Sequence, residues 1–344
     1  MTDLNVLWFV LLAVMLTAYA ILDGFDLGVG IVLNLLARTE AEKRTLLSTI
    51  APLWDGNEVW LVCFGGAFFG AFPDAYAAAF SGFYLPFMAL LAALLLRAVA
   101  MELRDHETWS WWRKLWDLAL GAACLLTSAV FGCMIANALA GVPLGTHHEF
   151  AGTLADLFSV GAGLVAFKTI MLFALHGTLF LRMRIEPGAL LDRVTRAAWI
   201  FWIIYLLSYA AVSYYAWKYV FWEYTSLVHL AIARVAMGLK LALMVGSGLA
   251  LAHSRPVVAF MLSAANIACL AFLYAAVLFP NLIASHADPG LNLTIYNSAS
   301  SQGTLSTMRW VALVGMPLAL AYTGTVYWVF RAKAREKTRE SSES

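Results

Sequence analysis

Apolar residues in this chain run in blocks of about 18 or more, long enough to cross a bilayer, with brief polar joints between them. The pattern predicts nine membrane segments, near 6–35, 50–72, 76–100, 116–140, 158–181, 196–217, 227–252, 257–279 and 307–330. Proline and glycine punctuate the joints, at Pro73-Asp74, Gly141-Val142-Pro143, Glu186-Pro187-Gly188, Arg255-Pro256, Phe279-Pro280 and Asp288-Pro289-Gly290. A transmembrane β-barrel would show short alternating segments, so the expected fold class is an all-α polytopic membrane protein. Residues 1–335 read as a single membrane-embedded domain and 336–344 as a flexible cytoplasmic tail ending Ser-Ser-Glu-Ser. The longest joints, 141–157 and 280–306, are too short for a domain, so the chemistry of the chain is expected inside the membrane.

Composition sharpens this reading. Of 344 residues, 62% are hydrophobic and 12% charged, with a mean hydropathy of +0.78. The net charge of +1 argues against nucleic acid as a partner. Met1-Thr2-Asp3-Leu4-Asn5 carries no basic residue and leads into the first block, which reads as an uncleaved helix and not as a signal peptide. Cys63, Cys124, Cys133 and Cys269 form no Cys-x-x-Cys pair and read as small buried hydrophobes. Sixteen of the 22 Lys and Arg residues fall after segments one, three, five, seven and nine, against Lys218 alone on the other side. The positive-inside rule then places the N-terminus outside and the C-terminus in the cytoplasm, which requires an odd number of helices.

Within so apolar a chain the acids stand out. Asp23 and Asp26 lie inside the first block, in Leu22-Asp23-Gly24-Phe25-Asp26-Leu27-Gly28, and Asp55 and Glu58 open the second, in Pro52-Leu53-Trp54-Asp55-Gly56-Asn57-Glu58-Val59-Trp60. A carboxylate costs roughly 2.5–3.5 kcal/mol near the centre of a membrane helix on insertion scales, so acids persist there when they face protein or water. The plain alternative is that each caps a helix or pairs with a buried cation. Two i,i+3 pairs in neighbouring helices favour proton or ion handling, with one acid of a close buried pair left neutral. Asp55, near the cytoplasmic end, is the expected entry, and Asn57 would orient a carboxyl or a water. Gly24, Gly28 and Gly30 allow another backbone to approach at the same depth.

Five cations are embedded, Arg97, Lys168, Arg234, Lys240 and Arg309, and structural pairing is the expected role of each. The histidines are His106, His147, His148, His176, His229, His253 and His286, most of them in joints or at segment edges, and none forms a facing pair at mid-depth. No axial heme ligand is therefore expected from this chain. No metal site is expected either, nor any nucleotide-binding glycine loop.

Three stretches carry a family resemblance. Asp23-Gly24-Phe25-Asp26-Leu27-Gly28, then Ser48 to Leu61 with its Trp54-Asp55-Gly56-Asn57 run, then Ala77-Ala78-Ala79-Phe80-Ser81-Gly82-Phe83-Tyr84 resemble subunit II of cytochrome bd-type quinol oxidase, as do Phe279-Pro280 and Ser300-Ser301-Gln302-Gly303-Thr304-Leu305. The resemblance spans nearly the whole chain. It implies a bacterial inner-membrane respiratory enzyme that oxidises quinol and reduces dioxygen to water. It implies nine helices in two four-helix bundles plus a peripheral one. It also implies a partner, subunit I, carrying heme b, heme d and the quinol site, with small single-helix accessory subunits and, in some members, a structural quinone. By the same resemblance Asp55 belongs to a proton route from the cytoplasm; the reading of the residues adds Asn57, Asp23 and Asp26 as further stations, and Glu58 either joins the route or only replaces an amide. Arg97, Trp54 and Lys168 are then candidates for charge pairing or the subunit interface, Arg97 with an acid or a heme propionate. The competing expectations are a proton- or cation-coupled transporter using the same acids, and a membrane scaffold with no proton role.

Overall fold

The computed structural model describes residues 3–145, 150–219, 227–286 and 288–332, with backbone only for 227–233. The expected tail at 336–344, His147, His148 and the His229 side chain lie outside the described residues. Eleven α-helices are described, and eight of them are long and apolar enough to cross a membrane.

Helix α1 (Leu4–Leu36) starts where the Asp3 carboxylate accepts from the Asn5 amide, 2.9 Å, and stops at Ala37 in extended backbone. A capping box of Thr39 and Glu42 opens α2 (Glu40–Ser48), a short polar helix absent from the nine expected segments. Helix α3 (Trp54–Ala71) begins after Pro52, as the sequence suggests. It is 18 residues long and is not among the eight long apolar helices, because Asp55, Asn57 and Glu58 occupy its first two turns. Pro73 starts α4 (Pro73–Gly82), and α5 (Tyr84–Leu103) follows after Phe83. The segment expected at 76–100 is thus two helices. Gly82 sits at the break, where a β-carbon would meet the Phe150 ring at 2.9 Å.

Helix α6 (Ser110–Ala140) ends at Gly141, whose φ of +84° suits glycine. Helices α7 (Val160–Arg184), α8 (Ala189–Tyr219), α9 (Leu227–Ala252) and α10 (Pro256–Leu278) follow the expected segments to within a few residues, except that α8 begins about two turns early. Between α10 and α11 (Gln302–Val329) lies an antiparallel pair, β1 (Asn281–Ile283) and β2 (Leu293–Thr294). This connection is tied down: the Ser300 hydroxyl donates to the Gly70 carbonyl at 2.6 Å, Ser301 caps α11, and the Gln302 amide reaches Asn5 on α1 at 3.0 Å. The serine-glutamine run therefore anchors the start of α11 to α1 and α3.

Helix α1 is the hub, packed on α3, α6, α7 and α10. Its stretch from Asp23 to Leu33 is buried throughout. Helix α11 is the opposite case: Leu305 is its one buried residue, and it lies against α3 and α1. Cys63, expected to be buried, is exposed on α3, while Cys124 and Cys269 are buried. α3 is packed on one face, which leaves its other side open.

Where α1 ends and α3 begins, charges bind the joints together. Arg104 is 1% exposed and donates to Asp117 at 2.5 Å and to Glu40 at 2.9 Å, and Lys43 reaches Asp117 at 2.7 Å. Burial works against the Arg104 cation, but Asp117 and Glu40 hold it above its ordinary range. Glu42 accepts from the Arg38 amide at 2.6 Å and from Arg193 on α8. These basic residues, read from the sequence as loop charges, include structural clamps.

Candidate functional site

The acid-bearing part of α1 has two different sides. Asp23 and Asp26 stand on one side, and Gly24 and Gly28 on the other. The glycine side lets α7 press in: a β-carbon on Gly28 would lie 1.9 Å from the Phe173 carbonyl oxygen, and one on Gly177 would lie 2.5 Å from the Gly28 carbonyl carbon. Phe25 stacks on Phe180 with ring centroids 4.0 Å apart and fixes the same contact. The acid side is thereby turned toward α3 and α5.

There the carboxyls meet one guanidinium. Arg97 on α5 donates through Nη1 to Asp23 Oδ1 at 2.6 Å and through Nη2 to Glu58 Oε2 at 3.0 Å. Arg97 and Asp23 are 1% and 0% exposed at the side chain, and Glu58 is 22% exposed. The Trp54 ring lies 5.8 Å from the guanidinium carbon. Asn57 turns its NH2 to Asp26 Oδ2 at 2.6 Å and to the Leu22 carbonyl at 3.2 Å. The Tyr327 hydroxyl on α11 donates to Asn57 Oδ1 at 3.0 Å, which fixes the amide in that orientation. Asp23 Oδ2, Asp26 Oδ1 and the Tyr19 hydroxyl are buried without a described partner.

The structure therefore brings together Asp23, Asp26, Asn57, Glu58, Arg97 and Trp54. Asp55 is exposed, one turn before Glu58, and its carboxylate makes no hydrogen bond among the described residues. Lys168 is elsewhere: 1% exposed on α7, it donates to the Tyr274 hydroxyl on α10. Its partner is a phenol and not a carboxylate. Lys240 on α9 is 0% exposed, 3.2 Å from the centre of the Tyr209 ring, with no described hydrogen-bond partner. Helices α7, α9 and α10 contain no acid, and α8 contains Asp192 alone.

Sequence reasoning missed Tyr327 and Tyr19. Tyr19 lies one turn before Asp23 and was open to detection by that spacing. Tyr327 is 270 residues from Asn57 and no local pattern links them.

His176 is the one described histidine buried within a long apolar helix. Its Nε2 faces the Ile21 carbonyl at 3.1 Å, and its Nδ1 faces the Ser263 hydroxyl at 3.0 Å. A carbonyl only accepts, so Nε2 carries the hydrogen and Nδ1 accepts from the serine. Both nitrogens are used in joining α7 to α1 and α10, so this imidazole does not suit an axial bond to iron. Among the described residues no group of three or more His, Cys, Asp or Glu side chains is placed to hold a metal ion. An apolar cavity of about 640 Å³ lies between α1, α3, α5, α6, α7 and α10, bordered by Glu58, Phe173 and Tyr274.

Comparison with known proteins matches this chain, over residues 4–330, to the model of the family described as cytochrome bd terminal oxidase subunit II. It is 32% identical to cytochrome bd-I ubiquinol oxidase subunit 2 of Escherichia coli (strain K12), covering 94% of this chain and 93% of that one. It is 30% identical to cytochrome bd ubiquinol oxidase subunit 2 of Bacillus subtilis (strain 168), covering 98% of each. Its fold is similar to a chain of the bd oxidase from Geobacillus thermodenitrificans, with a TM-score of 0.79 at 18% identity, over 96% of this chain and 99% of the other.

Proposed function

The chain belongs to the cytochrome bd terminal oxidase subunit II family, and from that premise we propose that it holds the heme-bearing subunit in place and conducts protons to it from the cytoplasm. As a member it is a subunit of a bd-type terminal oxidase, an oxidoreductase of the bacterial inner membrane. The reaction proposed for the complex takes electrons from quinol and reduces dioxygen to water, which consumes protons. Heme b and heme d belong on subunit I in this reading, where their iron supplies the oxygen chemistry. The engaged His176 nitrogens support that division.

The observation that carries the proton role is the array of polar side chains running inward from Asp55. Exposed Asp55 takes protons from cytoplasmic water. Glu58, one turn on, passes them to the buried set of Asp23, Asp26 and Asn57, while Arg97 holds two of the carboxyls in register. The array lies at the α1–α3 face, beside the nearly unburied α11, where a partner subunit has room to dock. In this reading α3 also crosses the membrane, which gives nine spans in two four-helix bundles and a peripheral helix. The sixteen-to-one bias of basic residues then puts the N-terminus outside and the C-terminus in the cytoplasm. The 640 Å³ apolar cavity fits the size and character of a site for a structural quinone. Small single-helix subunits complete the proposed assembly.

Asp55→Asn tests the route, since it keeps the shape and removes the proton acceptor. The assembled oxidase should retain its full heme content and lose most of its oxygen consumption, about tenfold or more by analogy with removal of a positioned acid–base group, and Asp55→Glu should recover part of it. Wild-type turnover in a fully heme-loaded Asp55→Asn enzyme would show that Asp55 is only a helix-end acid.

A further inference from the structure

Three carboxyls gather around one guanidinium, and two of them bond to it. Arg97 gives one arm to Asp23 and the other to Glu58, and its Nε has no described partner. Asp26 receives only the neutral amide of Asn57, on Oδ2. Among the described residues, the groups around α1 supply no second cation to it. Helix α3 presents Asn57 and Glu58, α5 Arg97, and α6 the Cys124 thiol. Helix α7 presents His176, whose two nitrogens are engaged, and α11 presents Tyr327, which donates to Asn57. Asp23 and Asp26 are 0% and 2% exposed and stand at i,i+3 on α1; Asp23 Oδ2 and Asp26 Oδ1 lie outside the hydrogen bonds from Arg97 and Asn57, and the Tyr19 hydroxyl of the preceding turn stands beside Asp23. Two bare carboxylates so placed repel each other in a medium that screens poorly.

We propose that Asp23 and Asp26 share one resident proton, seated on Asp26 Oδ1 at rest and directed to Asp23 Oδ2, either directly or through one water. Arg97 keeps Asp23 as the carboxylate of the pair, and the Asn57 amide fits a neutral Asp26, whose carbonyl oxygen accepts its hydrogen bond. The two acids then titrate as one unit with one exchangeable proton. This inference deepens the proton route proposed above and rests on it for its functional meaning, because a shared proton is a loaded station. The protonation state itself stands on the geometry alone.

The test uses the purified assembled oxidase with three readouts: thermal midpoint, heme content and infrared absorption of protonated carboxyl groups under hydrogen–deuterium exchange. Asp26→Asn replaces a neutral acid by a neutral amide of the same shape. It should assemble with full heme and a near wild-type midpoint, and it should lose one exchange-sensitive protonated-carboxyl band. Asp23→Asn strips Arg97 of its buried partner and should lose most of the assembled complex. The proposal is overturned if Asp26→Asn fails to assemble, if it loses as much stability as Asp23→Asn, or if the carboxyl band persists in it. Oxygen consumption separates the two readings. A stable Asp26→Asn enzyme that loses the band yet turns over at the wild-type rate keeps the shared proton and removes Asp26 from the route.

Discussion

Replacing Gly28 by alanine offers a direct test of how the acid site is held. The added methyl would lie 1.9 Å from the Phe173 carbonyl oxygen, 2.8 Å from its carbonyl carbon and 2.9 Å from the Gly177 Cα. A carbon and a carbonyl oxygen in favourable contact stand about 3.3 Å apart, so α1 and α7 must separate by about 1.4 Å. All three obstacles are backbone atoms of a buried helix, and no rotamer change relieves them. Overpacking costs about 1–3 kcal/mol and sometimes more, and this case belongs at the upper end. Alanine returns about 1 kcal/mol of helix propensity, which leaves a net loss of about 2 kcal/mol before the site is considered. Movement of α1 also loads the 2.6 Å bonds from Arg97 to Asp23 and from Asn57 to Asp26, and loss of a buried pair costs a further 3–5 kcal/mol, roughly. The assay is the thermal midpoint and heme-to-protein ratio of the assembled oxidase in mild detergent. Gly163→Ala, on α7 with open space around its β-carbon, is the control and should match or slightly exceed wild type. Equal midpoints for Gly28→Ala and Gly163→Ala would refute the close crossing and the account of how the acids are oriented.

Two further outcomes follow from buried charge outside the acid site. Burial pushes the Glu42 carboxyl up, but the Arg38 amide, Arg193 and the Thr39 amide outweigh it and hold Glu42 below the usual glutamate range. Its contribution, about 2 kcal/mol from charge-assisted hydrogen bonds, is present above that range and lost as pH falls through the lowered value. Glu42→Gln should therefore flatten the acid limb of the melting profile below about pH 5, and an unchanged limb would remove Glu42 from the account. Lys240→Met places an apolar chain of similar length where a buried ammonium has no described hydrogen bond, so stability should stay level or rise by about 1–4 kcal/mol. A fall of the midpoint by several degrees would mean that Lys240 is bound to something its four helices do not supply.

Much of this architecture was legible because membrane helices announce themselves by length. Eight of the nine expected segments correspond to helices of the described residues that are apolar and long enough to span, although the third begins only after the break at Phe83. The motif residues were equally visible, since Asp23, Asp26, Asn57 and Glu58 are conspicuous in apolar surroundings and do come together. Their pairing was not visible. Arg97 arrives from 74 residues beyond Asp23 and Tyr327 from 270 beyond Asn57, and no spacing rule reaches that far. The short helix α2 was missed because it is polar and lies across the joint, where no long apolar block marks it. Asp55, expected at the head of the array, stands exposed one turn before Glu58.

The distribution of buried charge is the feature that ties fold to function. Carboxyls gather where α1, α3 and α5 meet. The buried lysines stand among α7 to α10, in helices almost free of acid, held by tyrosines. The glycine crossing of α1 and α7 backs the acid-bearing side of α1. It admits no side chain at Gly28 or Gly177. One helix contact therefore turns the acids toward Arg97, which is why a single methyl at Gly28 is expected to disturb the whole site.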